Sequence, residues 1–239
     1  MRLVHCAVVL ALLPGLGCGG DDDSGSSDGA EDQPLTIMPI GDSNTQRVGA
    51  STYRCYLDQM LNEAGVSFDF VGSFDPPAAD FTCPAEFDRH HEAISGVSVN
   101  QHAPQAIESA ELLQPDVALV LLGAADIFNG QPADEAADEL AEFIGDLQAT
   151  RPDITILVGQ YTPCRSTSSW CEESWPALND AIASFADLST EGSSVVVVDM
   201  FTGFSMDYLV DSAHPNDDGD EEMARRWMTG LREAEVIEP

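Results

Sequence analysis

From Pro34 onward, short apolar runs alternate with amphipathic stretches. Leu35–Ile40, Ser67–Val71, Val117–Leu122, Ile154–Gly159 and Ser194–Asp199 read as strands. The third and fifth, built around Val-Ala-Leu-Val-Leu-Leu and Val-Val-Val-Val, are apolar at successive positions and so on both faces. Strands of that kind lie inside parallel sheets covered by helices on each side. Helical spacing occupies about Tyr53–Ala64, Ala133–Ala149, Ser174–Leu188 and Asp217–Ala234. The alternation predicts an α/β fold: a three-layer α/β/α sandwich on a five-stranded parallel, flavodoxin-like sheet. No internal repeat interrupts it.

Ahead of this pattern the chain changes character twice. Arg2 is followed by a mostly apolar run from Val8 to Leu16 that ends in Gly15-Leu16-Gly17-Cys18. Residues 1–17 have the layout of an export signal and are too short to remain as a spanning helix. The cysteine after small residues resembles a lipoprotein signal, which predicts lipidation of Cys18, although Leu16 stands one place later than usual. An ordinary secretory signal is the alternative. Gly19 to Gln33 is Gly, Ser, Asp and Glu with almost nothing apolar, so 18–33 is expected to be a flexible acidic linker. Residues 34–239 then form one domain: 239 residues, 44% of them hydrophobic, suffice for one full α/β core but not comfortably two.

Charge narrows the partners. The chain has 42 acidic residues against 9 basic ones, every one of these arginine, for a net charge of −33. Such a surface repels nucleic acid and anionic headgroups, which excludes DNA and RNA and leaves the lipid anchor as the membrane contact. Cys55, Cys83, Cys164 and Cys171 remain in the exported domain. An even number outside the cytoplasm favours disulfides, with three connectivities open. Cys55–Cys83 and Cys164–Cys171 are preferred, because each pair lies within one local segment. None forms a Cys-x-x-Cys pair.

In open parallel sheets ligands sit beyond the carboxyl ends of the strands. Gly41-Asp42-Ser43-Asn44-Thr45 follows the first strand, Gly123-Ala124-Ala125-Asp126 the third, and Asp211-Ser212-Ala213-His214 comes after the fifth. A serine becomes a nucleophile when a base takes its proton and a third group orients the base. Ser43, His214 and Asp211 supply those three chemistries on one sheet edge. Each alone is more often a cap or surface residue; their conjunction is what points to catalysis.

The stretch Ile37-Met38-Pro39-Ile40-Gly41-Asp42-Ser43 resembles the first block of the SGNH, or GDSL, hydrolases. Tyr53-Arg54, Phe70-Val71-Gly72-Ser73, His91-Glu92, Ser95-Gly96, Pro115-Asp116 and Asp211-Ser212-Ala213-His214-Pro215-Asn216-Asp217 follow in that family's order. The likeness is nearest to the carbohydrate esterases that include acetyl xylan esterases. It implies a serine ester hydrolase that deacetylates a glycan, needs no cofactor and forms an acyl-enzyme on Ser43. His214 would be the base and Asp211 its orienter. Backbone N–H groups of Ser43 and Gly96 would line the oxyanion hole. The rival α/β-hydrolase architecture needs a Gly-x-Ser-x-Gly elbow, and Thr45 stands at its second glycine.

Two departures qualify the resemblance. Ala125 stands where the family places an asparagine whose side chain is the third oxyanion donor. Loss of such a donor costs about 10²–10³ in turnover. Asn44 is a candidate substitute, and Asn129 a more distant one. Ala93-Ile94-Ser95-Gly96-Val97 replaces the Gly-His-Ser-Gly-Trp of the carbohydrate esterases, which weakens the case for a sugar ester more than the case for hydrolysis. The alternatives are a catalytically weak or inactive glycan-binding lipoprotein and an esterase or lipase of another acyl substrate. His90-His91-Glu92 with His102 fits no common zinc spacing, so a bracing loop is expected there and no metal. Trp170, Trp175 and Trp227 are expected to pack rather than to line a glycan surface.

Overall fold

The computed structural model describes residues 33–83 and 86–239. Strands β1 (Leu35–Gly41), β2 (Phe68–Phe70), β4 (Val117–Leu121), β5 (Thr155–Gly159) and β6 (Val195–Val198) form a parallel sheet in the order β2-β1-β4-β5-β6. A two-residue strand, β3 (Glu92–Ala93), lies alongside the carboxyl end of β1, pairing Ile40 with Glu92 and Gly41 with Ala93. The five-stranded, three-layer expectation holds, with β3 as a short addition. All five residues of β4 are buried, as a central strand apolar on both faces requires.

Helix α1 (Ser43–Gln46) is a single turn directly after β1; α2 is Tyr53–Glu63 and α7 is Asp217–Glu233. α2 and α7 pack together, and α7 lies on β5 and β6. On the other side α3 (Val99–Leu113), α5 (Ala133–Thr150) and α6 (Trp175–Ile182) pack in sequence, with α4 (Ala124–Phe128) following β4. Trp227, wholly buried on α7, fills the layer over the sheet and packs on Tyr53 at 5.9 Å.

Three boundaries depart from the sequence pattern. α3 has no counterpart in it, because its buried positions are Val99, His102, Ala106, Ser109 and Ala110, small or polar residues for the most part, and Pro104 lies inside it. The single helix expected over Ser174–Leu188 ends at Ile182 and continues as a separate 3₁₀ turn, Phe185–Leu188. It is preceded by a π-helical turn, Trp170–Ser174. Ser67–Val71 contracts to three residues, with Val71 donating its N–H to the Ile37 carbonyl at 2.8 Å beyond the strand.

The strand order reverses between β1 and β4, so the crevice beyond their carboxyl ends is the expected ligand position. The sulfurs of Cys55 and Cys83 are bonded, as are those of Cys164 and Cys171, with Cα atoms 6.2 and 5.8 Å apart. Among the described residues no helix is long and apolar enough to cross a membrane. The expected signal, Cys18 and the acidic linker up to residue 32 lie outside the described residues.

Candidate functional site

Gly41 ends β1 in such close contact with the next turn that a Cβ there would overlap Thr45 Oγ1 and come within 2.9 Å of the Leu121 carbonyl oxygen. Glycine thus lets the chain turn straight into α1, with Ser43 at its first position. Asp42 caps the turn, its Oδ1 accepting the Asn44 N–H at 2.9 Å. Its other oxygen accepts the Tyr161 hydroxyl at 2.6 Å, and that hydroxyl accepts the Ala124 N–H at 3.1 Å. Burial pushes the Asp42 carboxyl above its ordinary value, against the pull of the Tyr161 and Asn44 hydrogen bonds.

The far end of the turn is held by Arg54. This wholly buried guanidinium donates to the carbonyls of Thr45 at 3.0 Å, Gln46 at 3.2 Å and Arg89 at 2.9 Å. Its burial lowers its pKa to about 10. The Gln46 side chain accepts the Ser95 N–H at 2.8 Å, and the Gly41 carbonyl accepts the Ile94 N–H at 3.0 Å. Together they fix the turn at Ser95–Gly96 beside Ser43. Gly96 has φ +73°, a left-handed conformation that favours glycine.

His214 arrives from a loop before α7. Its Nε2 lies 2.9 Å from Ser43 Oγ, and its Nδ1 lies 2.8 Å from Asp211 Oδ2. Asp211 Oδ1 accepts the backbone N–H groups of Ala213 and His214, each at 2.9 Å. Partial burial raises the Asp211 pKa, but these three hydrogen bonds outweigh it and hold the carboxyl below its usual value. Across the loop, Arg47 donates to the Pro215 carbonyl at 2.9 Å, linking the serine turn to the residue after His214.

Ser43 and His214 open on a pocket of about 420 Å³ that also includes Asn44, Ser95, Gly96, Ala124, Ala125, Phe128, Asn129, Trp175 and Ala213. Among the described residues neither the Ser43 nor the Gly96 backbone N–H has a hydrogen-bond partner. The structure therefore brings together Ser43, Asp211, His214, Gly96 and Asn44, all legible in the sequence. Asn129 stands exposed at the end of α4, on the pocket rim.

The histidine group falls outside it. His91 is buried and stacked on Phe74, and burial lowers its pKa to about 3. His102 Nε2 faces the Glu92 carbonyl at 3.1 Å. Glu92 accepts the Ser73 N–H and the Gln105 amide, so this group braces β3. Trp227 is core, as expected. Trp175 is buried yet forms part of the pocket wall, and the half-buried Trp170 packs on Phe128 at 4.3 Å. Sequence reasoning misses Phe128 and Tyr161. Tyr161 meets Asp42 across 119 positions, and no local spacing signals such a contact.

Comparison with known proteins gives the family. The GDSL-like lipase/acylhydrolase family matches residues 40–221. A solved carbohydrate esterase family 3 protein from Talaromyces cellulolyticus is 26% identical, with a TM-score of 0.74 over 85% of this chain and 99% of its own. An acetyl esterase, solved as a serine-to-alanine mutant with an acetate ion, is 27% identical, with a TM-score of 0.74 over 85% of this chain and 98% of its own. A multidomain esterase of Ruminococcus flavefaciens is 24% identical over 81% of this chain, which spans 28% of that relative's length. The match over residues 40–221 takes in Ser43, Asp211 and His214 alike, and the chain belongs to the GDSL-like lipase/acylhydrolase family, the SGNH carboxylic ester hydrolases.

Proposed function

We propose that the protein is a serine esterase that deacetylates a glycan through an acyl-enzyme on Ser43. The observation that carries this reading is the continuous chain Ser43 Oγ–His214–Asp211, at 2.9 and 2.8 Å, opening on a pocket beside two backbone N–H groups that have no partner among the described residues. As Ser43 Oγ attacks the acyl carbon, His214 Nε2 takes its proton and Asp211 steadies the resulting imidazolium. The carbonyl electron pair moves onto oxygen, where the Ser43 and Gly96 N–H groups donate to it. Collapse breaks the bond to the alcohol oxygen, which receives the proton from His214. Water then attacks the acyl carbon, gives a proton to His214, and the acid leaves as Ser43 recovers its hydrogen.

The acetylated glycan is supported by the two relatives named carbohydrate esterase and acetyl esterase. Phe128, 47% exposed and backed by Trp170, offers a flat apolar surface at the pocket that suits one face of a sugar ring. Acetate release from acetylated xylan, compared with a series of esters of increasing acyl length, tests the assignment. Release that Ser43→Ala abolishes, with rates falling beyond acetyl, supports it. Rates that rise with acyl length support the second reading, an esterase of longer acyl groups. The apolar wall of Ala124, Ala125, Phe128 and Trp175 favours that reading.

We further propose export and acylation at Cys18, from Gly15-Leu16-Gly17-Cys18 and the acidic tether after it. Mass spectrometry of the membrane fraction tests it: a mature chain beginning at acylated Cys18 is expected, and a free N-terminus beyond Gly20 contradicts it.

A further inference from the structure

Asn44, the residue after Ser43, forms part of the pocket and is only 3% exposed. Its backbone N–H is used by Asp42. Its side-chain amide has no hydrogen-bond partner among the described residues, and its Oδ1 is shut off from solvent. Buried amides are almost always paired, since leaving one unmade costs stability. The pocket side chains of Ala124, Ala125, Phe128, Trp175 and Ala213 are poor partners for it. Its donors are thus free to meet an acceptor that enters with the substrate.

The Asn44 Nδ2 carries two N–H donors, has no hydrogen-bond partner among the described residues and is not closed off as Oδ1 is, so it is the end of the amide that the pocket can reach. The strongest acceptor to form beside Ser43 is the oxygen that becomes negative when the serine attacks. Ala125 presents only a methyl group to the same pocket. We infer that Asn44 is a catalytic residue whose side-chain amide donates to this oxyanion as a third donor, beside the Ser43 and Gly96 backbone N–H groups. The inference rests on the proposed Ser43 mechanism and adds to it the source of the remaining donor. Asn44 is preorganised for the role, since Asp42 caps the turn at one end and Arg54 grips its Thr45 and Gln46 carbonyls at the other. Asn129 is the weaker candidate, being exposed at the rim and open to solvent rather than held.

The test is steady-state hydrolysis of an activated acetate ester together with thermal unfolding, on the parent, Asn44→Ala, Asn44→Leu and Ser43→Ala. Both Asn44 variants are expected to lose about 10²–10³-fold in kcat, with KM little changed. Their unfolding temperature should hold or rise, because an orphaned buried amide has been removed; a merely structural asparagine would lower it. Adding Ala125→Asn to Asn44→Ala should restore part of the lost kcat. Asn44 variants at parental kcat, beside an inactive Ser43→Ala, would overturn this inference alone. A loss of kcat matched by a loss of folded protein would overturn it as well. Ser43→Ala at the parental rate would overturn the mechanism beneath it.

Discussion

Ser43 heads a helical turn that buried residues hold on every side, whereas His214 and Asp211 stand on a surface loop, 34% and 52% exposed. The serine turn depends on partners outside itself: Arg54, from the next helix, on its carbonyls, and, far along the chain, Tyr161 on Asp42 and Ser95 tied to Gln46. The base loop is mostly closed by its neighbours. Asp211 accepts N–H groups two and three residues on, and Val210 donates to the His214 carbonyl at 3.0 Å. Charge follows the same division. Burial raises Asp42, and it lifts Asp126 and Asp220 to about 6, while hydrogen bonding brings Asp211 down. One partner is fixed by the core and the other by local geometry, so damage to the two sides should read out differently.

The largest effect separates activity from folding. His214→Ala should reduce ester hydrolysis by about 10⁴–10⁶-fold, as serine and base act as a unit, yet shift stability by less than about 1 kcal/mol. Asp211→Asn should cost about 10²–10⁴-fold. Its remaining oxygen still accepts the Ala213 and His214 N–H groups, but its amide presents a donor to Nδ1 and disfavours the needed tautomer. Denaturant unfolding and kinetics on the same samples check both; a base-loop variant that unfolds would erase the contrast.

Arg54→Met should do the reverse. It strands the buried Thr45 carbonyl and the half-buried carbonyls of Gln46 and Arg89, for a loss on the order of 3 kcal/mol, and activity should fall with the folded fraction. A stable Arg54→Met protein would show that the turn does not need its brace.

How much of this division the sequence displays depends on where each partner sits. Ser43, Asp211 and His214 follow strands or lie three residues apart, and strand ends are marked by hydrophobic pattern. β4 and β6 are equally plain, because consecutive apolar residues between turn signals have one reading here. α3 is invisible: it buries His102, Ser109 and alanines, so the helical period carries no hydrophobic contrast. The Asp42–Tyr161 and Arg47–Pro215 contacts join residues more than a hundred positions apart, and no local spacing signals them.

The next contrast is with pH. Asp126 and Asp220 sit at about 6 in the fold against 3.8 ordinarily, so each binds its proton more tightly when folded. Their contribution is fully present below 3.8 and is lost as pH rises to about 6. Asp211, held low, works the other way: its contribution is present above 3.8 and fades as pH falls through its depressed pKa. Asp220→Asn should therefore gain on the parent in unfolding temperature between about pH 4 and pH 7. A difference that is constant with pH would contradict this assignment.

The smallest expected effect concerns the Cys164–Cys171 bridge beside the Trp170 turn. Replacing both cysteines with serine should cost about 2 kcal/mol, the value for so short a loop. It should raise KM for a glycan ester more than for a small activated ester, because Trp170 backs Phe128. Equal changes for both substrates would remove the aromatic pair from glycan binding.

Every contrast drawn between the two sides presupposes that ester hydrolysis passes through Ser43. Acid-quenching the protein within its first turnovers of an activated acetate ester, then mapping peptides by mass spectrometry, reads the intermediate itself. One acetyl group per molecule on the Ser43 side chain is expected, with none in Ser43→Ala. Hydrolysis that continues in Ser43→Ala at the parental rate, or an acetyl group trapped on another residue, would rule that route out.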